Sequence, residues 1–279
     1  AILGSGSGPR TQQLLSEIAG GGVIVAPAIE ELGVSYEPRF VTVRAERSAD
    51  AFILSGSKMF VPYADVVDHL LVLARTQGSI GDEGGCSLLL VDRRSPGIRM
   101  TRLDTIAPDR QFRIDFDQVV VAGEAVLGDA GAALRLLADV QRQCTALTCA
   151  EMLGGAEHQL EVTAEYVRQR VQFDRPTGSF QAVHHHPADM FTLVQASRWT
   201  TYQAIDQLQR NRPAEREVAI AKAVSSDACQ RVAALAQQLH GGVGVDMAND
   251  LQFYFRRAKA MELKFGPAAV HLKRMGEQL

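Results

Sequence analysis

Ala122–Gly131, "AGEAVLGDAG", divides the chain by its hydrophobic period. Upstream of it, from about Gly22 to Val126, short apolar runs recur between Gly, Pro, Asp and Ser clusters: "VIVAPAIE", "AFILSGSKMFV", "HLLVLART", "CSLLLVD" and "QFRIDFDQVVV". Rich in Val, Ile, Leu and Phe and only a few residues long, they read as strands of an antiparallel sheet or barrel. Downstream, apolar residues recur every three to four positions in four long stretches beginning at Ala133, Ala182, Ala214 and Asp250. Each reads as a helix, with Gly-Gly or Gly-Pro pairs marking joints. Long helices in succession point to an up-down four-helix bundle rather than to alternating strands and helices. The fold class is therefore α+β, with its boundary near Gly128–Gly131 and no tandem repeat or low-complexity linker.

Composition narrows the function classes. The 279 residues, 46% hydrophobic, are enough for a sizeable core. A formal charge of −3 offers no basic field for nucleic acid or an anionic membrane. Cys86, Cys144, Cys149 and Cys229 lie far apart with no CxxC spacing, so neither a disulfide framework nor a zinc site is indicated, and a reducing cytoplasm fits best. No apolar run approaches a membrane span, and no signal-peptide pattern opens the chain. The opening "AILGSGSGPRTQQLLSEIAGGG", without Met, reads as the middle of something longer.

Two joints of the helical half carry chemistry. "RVQFDRPTGSFQ", Arg170–Gln181, places an arginine at the end of the first long helix, where the dipole favours a cation. "QQLHGGVGV", Gln237–Val245, ends the third with adjacent glycines, which allow unusual backbone angles and close approach to bare N–H groups. Either alone is explained as a helix joint. Together, a guanidinium fork and free N–H groups make a receptacle for a pyrophosphate. His184, His185 and His186 stand about 100° apart around a helix and do not converge on a metal. "RPAERE" reads as a polar turn, the Ala-rich helix faces as core or subunit interface, and Arg256 and Arg257 as ion-pairing residues of an interface.

Four separated motifs, in order, resemble the acyl-CoA dehydrogenase family: "LSGSKMFVPYADVVDHLLVLART", "FDQVVVAGEAVLGDAG", "EYVRQRVQFDRPTGSFQAVHHHPADM" and "QLHGGVGV" followed by "YFRRAKAMELKFGPAAVHL". The resemblance runs from about Ala28 to the end. It implies a remnant of an N-terminal helical domain over 1–21, a middle β-domain over 22–127 and a C-terminal helical-bundle domain over 128–279. Arg170, Gln172 and Phe173 match the family's Arg-x-x-Phe-Gly element, and Gln238, Gly241 and Gly242 its Gln-x-x-Gly-Gly element. In the family both reach across a dimer interface to the ADP half of an FAD bound mainly by the neighbouring subunit.

The departures concern this chain's own active site. The family abstracts the substrate α-proton with a glutamate at one of two places, where this chain has Phe265 and, by register, Cys144. Phenylalanine has no basic group, and a thiol is a poor substitute for a carboxylate of raised pKa. Glu151 and Glu262 lie one to two turns away, Glu262 roughly on the helix face of Phe265. The family's Trp-Ile-Thr beside the flavin is replaced by Phe60-Val61-Pro62. Its flavin-lining loop is reduced to Ala28–Pro38, with Glu30, Gly33 and Ser35 persisting. Asp174 replaces the glycine after Phe173 and sets a carboxylate near the expected pyrophosphate.

The resemblance thus implies a subunit that serves a partner's FAD and lacks its own catalytic residue. The expected partner is a paralogous subunit in a heterotetramer, as in the α2β2 enzymes of actinobacterial sterol side-chain degradation. The expected substrate is an acyl-CoA, possessing a steroid side chain in that case, and the acceptor an electron-transfer flavoprotein. Two alternatives stay open: a self-sufficient dehydrogenase with a displaced base, and a scaffold that binds neither FAD nor CoA.

Overall fold

The computed structural model describes residues 9–33 and 36–277, which form two compact units divided within one long helix, at Val140/Gln141. Helix α1, Pro9–Ala19, is followed by eight strands: β1 Val25–Ala28, β2 Arg44–Ser48, β3 Ala51–Pro62, β4 His69–Arg75, β5 Cys86–Asp92, β6 Ile98–Leu103, β7 Gln111–Ala122 and β8 Val126–Leu127. They form one sheet in the order β6-β7-β3-β2-β4-β5-β8, with β1 also on β4. The sheet is mainly antiparallel, but β1 runs parallel to β4 (Val25↔His69), as β2 does at Arg44↔Arg75. The expected antiparallel pairing holds for the other strand pairs.

Burial explains which strands the hydrophobic pattern reveals. β4 and β5 are buried almost throughout, and so read as unbroken apolar runs. β3 and β7 bury alternate residues. Two strands escape the pattern: β2, "RAERS", buries Ala45 alone, and the edge strand β6, "IRMTRL", buries none fully. β2 is placed by its hairpin with β3, whose Ser48↔Ala51 register closes over Ala49 at φ 50. Within the core lies a buried ion pair. Lys58 Nζ reaches Glu31 Oε1 at 2.6 Å and the Ile29 carbonyl at 3.0 Å, both side chains being almost fully buried.

The second unit is helical: α2 Ala133–Gln169 (from Gln141), α3 Gln181–Gln209, α4 Glu215–His240, α5 Gly242–Val245, α6 Leu251–Leu263 and α7 Ala268–Gly276, with a hairpin of β9 Val171–Gln172 and β10 Arg175–Pro176 after α2. The fourth expected helix is two helices, because Lys264–Pro267 breaks it between α6 and α7. α4 is the central member. Its buried residues are mostly Ala, Ser and Cys, which let neighbouring helices approach from several sides. One cluster joins Cys149 and Met152 of α2, Ala204 of α3, Ala221 and Cys229 of α4 and Met261 of α6; a second joins Leu153, Met190, Val194, Val232 and Leu251.

Candidate functional site

The Arg170 element is an exposed hairpin. The Arg170 N–H donates to the Tyr166 carbonyl at 2.8 Å, finishing the helix, and its carbonyl accepts from Thr177 N–H at 2.7 Å, closing the hairpin base. Gln172 pairs with Arg175 across a two-residue turn, Phe173 and Asp174, at φ 53 and 60. Both central residues are left-handed, as the right-handed twist of a tight hairpin requires. Aspartate tolerates that region, which accounts for Asp174 in place of glycine; phenylalanine tolerates it less well. Phe173 is 88% exposed. Its ring makes a T-shaped contact with Phe180, 6.1 Å between centroids, while the Arg175 guanidinium covers the Phe180 face at 3.9 Å. Arg170 and Gln172 are exposed too, and the Arg170 guanidinium has no partner among the described residues.

The diglycine element ends α4 beside it. His240, buried, sets Nδ1 2.9 Å from the Ala236 carbonyl and stacks on Tyr166 with 4.2 Å between ring centroids. Tyr166 stands one turn before Arg170, and His240 directly precedes Gly241. This contact brings both elements to one end of the bundle, with Arg170, Gln172, Phe173, Gln238, Gly241 and Gly242 all exposed. Gly241, at φ 59 and ψ −138, adopts a conformation closed to side-chain-bearing residues. At Gly244 a Cβ would stand 2.5 Å from Gln237 Oε1 and 3.0 Å from His240 Cβ, so a larger residue there would displace the Gln237 side chain. The arrangement offers a free cation and an exposed glycine backbone, the donor set that an anionic pyrophosphate takes.

Of the two positions where the resemblance implies a base, one carries Phe265 and the other Cys144. Phe265 lies past the end of α6 with φ 59, off the helix that carries Glu262, so the shared helix face expected for the two is corrected. Glu262 is bound to Lys259 at 2.7 Å, and Glu151 receives Arg257 Nε at 2.8 Å. Arg257 thus pairs within the chain, while Arg256 lies 5.7 Å from the Phe253 ring centre. Cys144 is half-buried on α2.

Sequence reasoning missed two buried groups near Phe265. Lys222 of α4 donates from Nζ to the carbonyls of Met261 and Glu262 at 3.1 and 2.8 Å and to Ser226 Oγ at 3.0 Å. Burial pulls its pKa down to about 8, opposed by the Cys149, Glu262 and Cys229 side chains. Burial likewise pushes the Cys149 and Cys229 thiols up to about 11 and about 12. His271 of α7 is 3.0 Å from the Phe265 carbonyl through Nε2, and burial lowers it to about 4.

In the first unit, Phe60 (φ 54) is half-exposed, Val61 is buried and Pro62 pairs with Gln111. Burial raises the Glu30 pKa, while Glu31, not singled out from the sequence, pairs with Lys58. Gly33 is at φ 73, and Ser35 lies outside the described residues. His184 and His185 are exposed, with ring centroids 6.5 Å apart, and no trio of metal-ligating side chains converges among the described residues. No helix among them is long and apolar enough to cross a membrane.

Comparison with known proteins finds two family models. Residues 133–279 match "Acyl-CoA dehydrogenase, C-terminal domain" and residues 27–119 match "Acyl-CoA dehydrogenase, middle domain". Acyl-CoA dehydrogenase FadE27 of Mycobacterium tuberculosis is 33% identical over 247 residues, 85% of this chain and 63% of that protein, so the chain spans under two thirds of this relative. The ChsE4-ChsE5 complex of Mycobacterium tuberculosis contains a chain 31% identical with a TM-score of 0.87, covering 99% of this chain and 72% of that one. Butyryl-CoA dehydrogenase from Megasphaera elsdenii is 27% identical with a TM-score of 0.88, over 96% and 71%.

Proposed function

The chain belongs to the acyl-CoA dehydrogenase family, and on that premise we propose that it is a subunit of a hetero-oligomeric acyl-CoA dehydrogenase that holds the ADP half of a partner's FAD. The observation carrying this reading is the exposed Arg170–Phe173 hairpin, tied through Tyr166 and His240 to the Gly241–Gly242 turn. An uncapped guanidinium and an 88% exposed aromatic on a strained turn are poorly explained as surface of a lone chain. When bound, FAD accepts the substrate's β-hydride. The residues of this chain would grip and orient it: Arg170 would pair with the pyrophosphate, the bare Gly241–Gly242 backbone would admit it closely, and Phe173 would give an apolar face.

With Phe265 and Cys144 at the two expected places and Glu151 and Glu262 tied to basic residues, proton abstraction falls to the partner. The partner is a paralogous subunit, a reading supported by the relative that is itself part of the ChsE4-ChsE5 complex. The assembly is a cytoplasmic heterotetramer that passes electrons to an electron-transfer flavoprotein. Its substrate is an acyl-CoA thioester held mainly by the partner, with a steroid side-chain CoA as the specific candidate. Co-expression with paralogues encoded nearby tests the reading. A yellow complex from co-expression, with a colourless chain alone, is the expected result; a yellow, active chain alone would favour a self-sufficient enzyme.

A further inference from the structure

The two sides of α3 differ. One carries the buried Met190, Val194, Ser197, Thr201 and Ala204, with Ser197 and Thr201 both bonded to Ser225 of α4. The other is open: Phe191, Trp199 and Tyr202 are 55%, 68% and 53% exposed. Single exposed apolar side chains are ordinary on a protein surface, whereas three large aromatics in one line mark a contact face. At about 100° per residue they share an arc of about 80° with His184, Ala188, Gln195 and Asp206. Arg198, the only Lys or Arg of α3, is turned to α2, its Nε donating to Glu157 Oε1 at 3.0 Å. The stripe is also symmetric in sequence. Counted outward from Gln195, its members stand four, seven and eleven residues away on both sides: Phe191 and Trp199, Ala188 and Tyr202, His184 and Asp206.

We propose that this face of α3 is an interaction surface for a second copy of this chain, the two helices packing antiparallel about a two-fold axis at Gln195. In an isologous contact each residue on one side of the axis meets its mirror position in the other copy. Phe191 then meets the second Trp199 ring, Ala188 leaves room for the second Tyr202, and Gln195 faces itself, an amide being both donor and acceptor. At each end the His184 imidazole meets Asp206, whose Oδ1 accepts from Arg210 Nε at 2.8 Å while its other oxygen faces the newcomer. A parallel pair would instead set Asp206 against Asp206. The surface shares no residue with the hairpin or the diglycine turn, and the two copies it joins are those that a heterotetramer of two kinds of subunit contains.

Trp199 is the chain's only tryptophan, so its emission reports on this surface directly. The test follows that emission and the sedimenting mass of the chain alone over a dilution series. Expected are blue-shifted emission and the mass of two chains when concentrated, with both changing together on dilution. Phe191→Glu, its fold checked by far-UV circular dichroism, is expected to give single chains throughout. In a Cys144→Ala background, Gln195→Cys is expected to cross-link to a band of twice the chain mass on mild oxidation. Ala196→Cys, exposed but turned off the stripe, is expected not to. A single-chain mass at every concentration, a pair that survives Phe191→Glu, or a cross-link at Ala196→Cys without one at Gln195→Cys would overturn the proposal. So would Trp199 emission that turns blue only when a paralogous subunit is added, which would give the face to that subunit and leave the FAD reading standing. A Gln195→Cys cross-link in a co-expressed assembly that holds no flavin would support the pairing and count against the FAD reading instead.

Discussion

Tyr166 and His240 stack at 4.2 Å between ring centroids, joining the last turns of α2 and α4. Each ring stands within a turn of an element that departs from regular helix, Tyr166 one turn before the Arg170 hairpin and His240 directly before the Gly241 turn. Elements about 70 residues apart in sequence therefore meet at one end of the bundle, and the stack fixes their spacing. The Tyr166 hydroxyl lies 3.5 Å from the His240 carbonyl, at the outer limit of a hydrogen bond, so ring contact rather than polar bonding holds them.

Stability of the first unit depends on the Lys58–Glu31 pair. Removing the lysine leaves a buried carboxylate whose donors among the described residues are those of Thr42 and Val43. Lys58→Met is expected to destabilise the chain by about 3–5 kcal/mol, and Lys58→Met with Glu31→Gln by clearly less, because the stranded charge is gone. Denaturant melts of the single and double variants measure the difference; equal losses would mean that the charge is not the source.

Acid sensitivity follows from His271. Its folded pKa, about 4, lies below the ordinary 6.5, so the unfolded chain binds the extra proton between those values. Its contribution is intact above about pH 6.5 and is lost as pH falls toward 4, by up to about 3 kcal/mol. His271→Gln should flatten that part of the stability–pH curve between pH 6.5 and 4. A parent and variant with parallel curves would contradict the assignment.

Catalysis in the assembled enzyme should survive loss of this chain's remaining candidates for a base. Cys144→Ala and Glu262→Gln are expected to leave turnover within a few-fold of the parent, whereas loss of a true general base lowers it by about 10²–10⁴-fold. Steady-state rates of the complex decide it. A collapse with flavin and oligomer intact would place the base here and favour the self-sufficient enzyme.

Much of this architecture was legible because burial writes itself into residue type. β4 and β5 are covered on both faces and read as apolar runs, and α2, α3 and α4 show a helical period. β2 escaped because its position comes from pairing with β3 rather than from apolar side chains. The break at Lys264–Pro267 was visible only as Gly-Pro, which the surrounding helical period outweighed. Lys222 was hidden for a different reason: a lysine in "AIAKAVSS" looks like a solvated charge, and the one hint of burial is the small residues around it. Arg170 was legible as a cation at a helix joint, whereas Gln172 and Phe173 were found through resemblance, since nothing in their hydrophobicity distinguishes a docking hairpin from a surface loop.

The central claim is that Arg170 grips an FAD held mainly by another subunit, and Arg170→Ala in the assembled complex tests it most directly through the ratio of flavin absorbance to protein. A charge-assisted contact contributes roughly 1.5–3 kcal/mol, or about ten- to a hundredfold in affinity. The account predicts that the variant complex elutes at the parent's size with most of its flavin lost. Full flavin occupancy in an intact Arg170→Ala complex would contradict it.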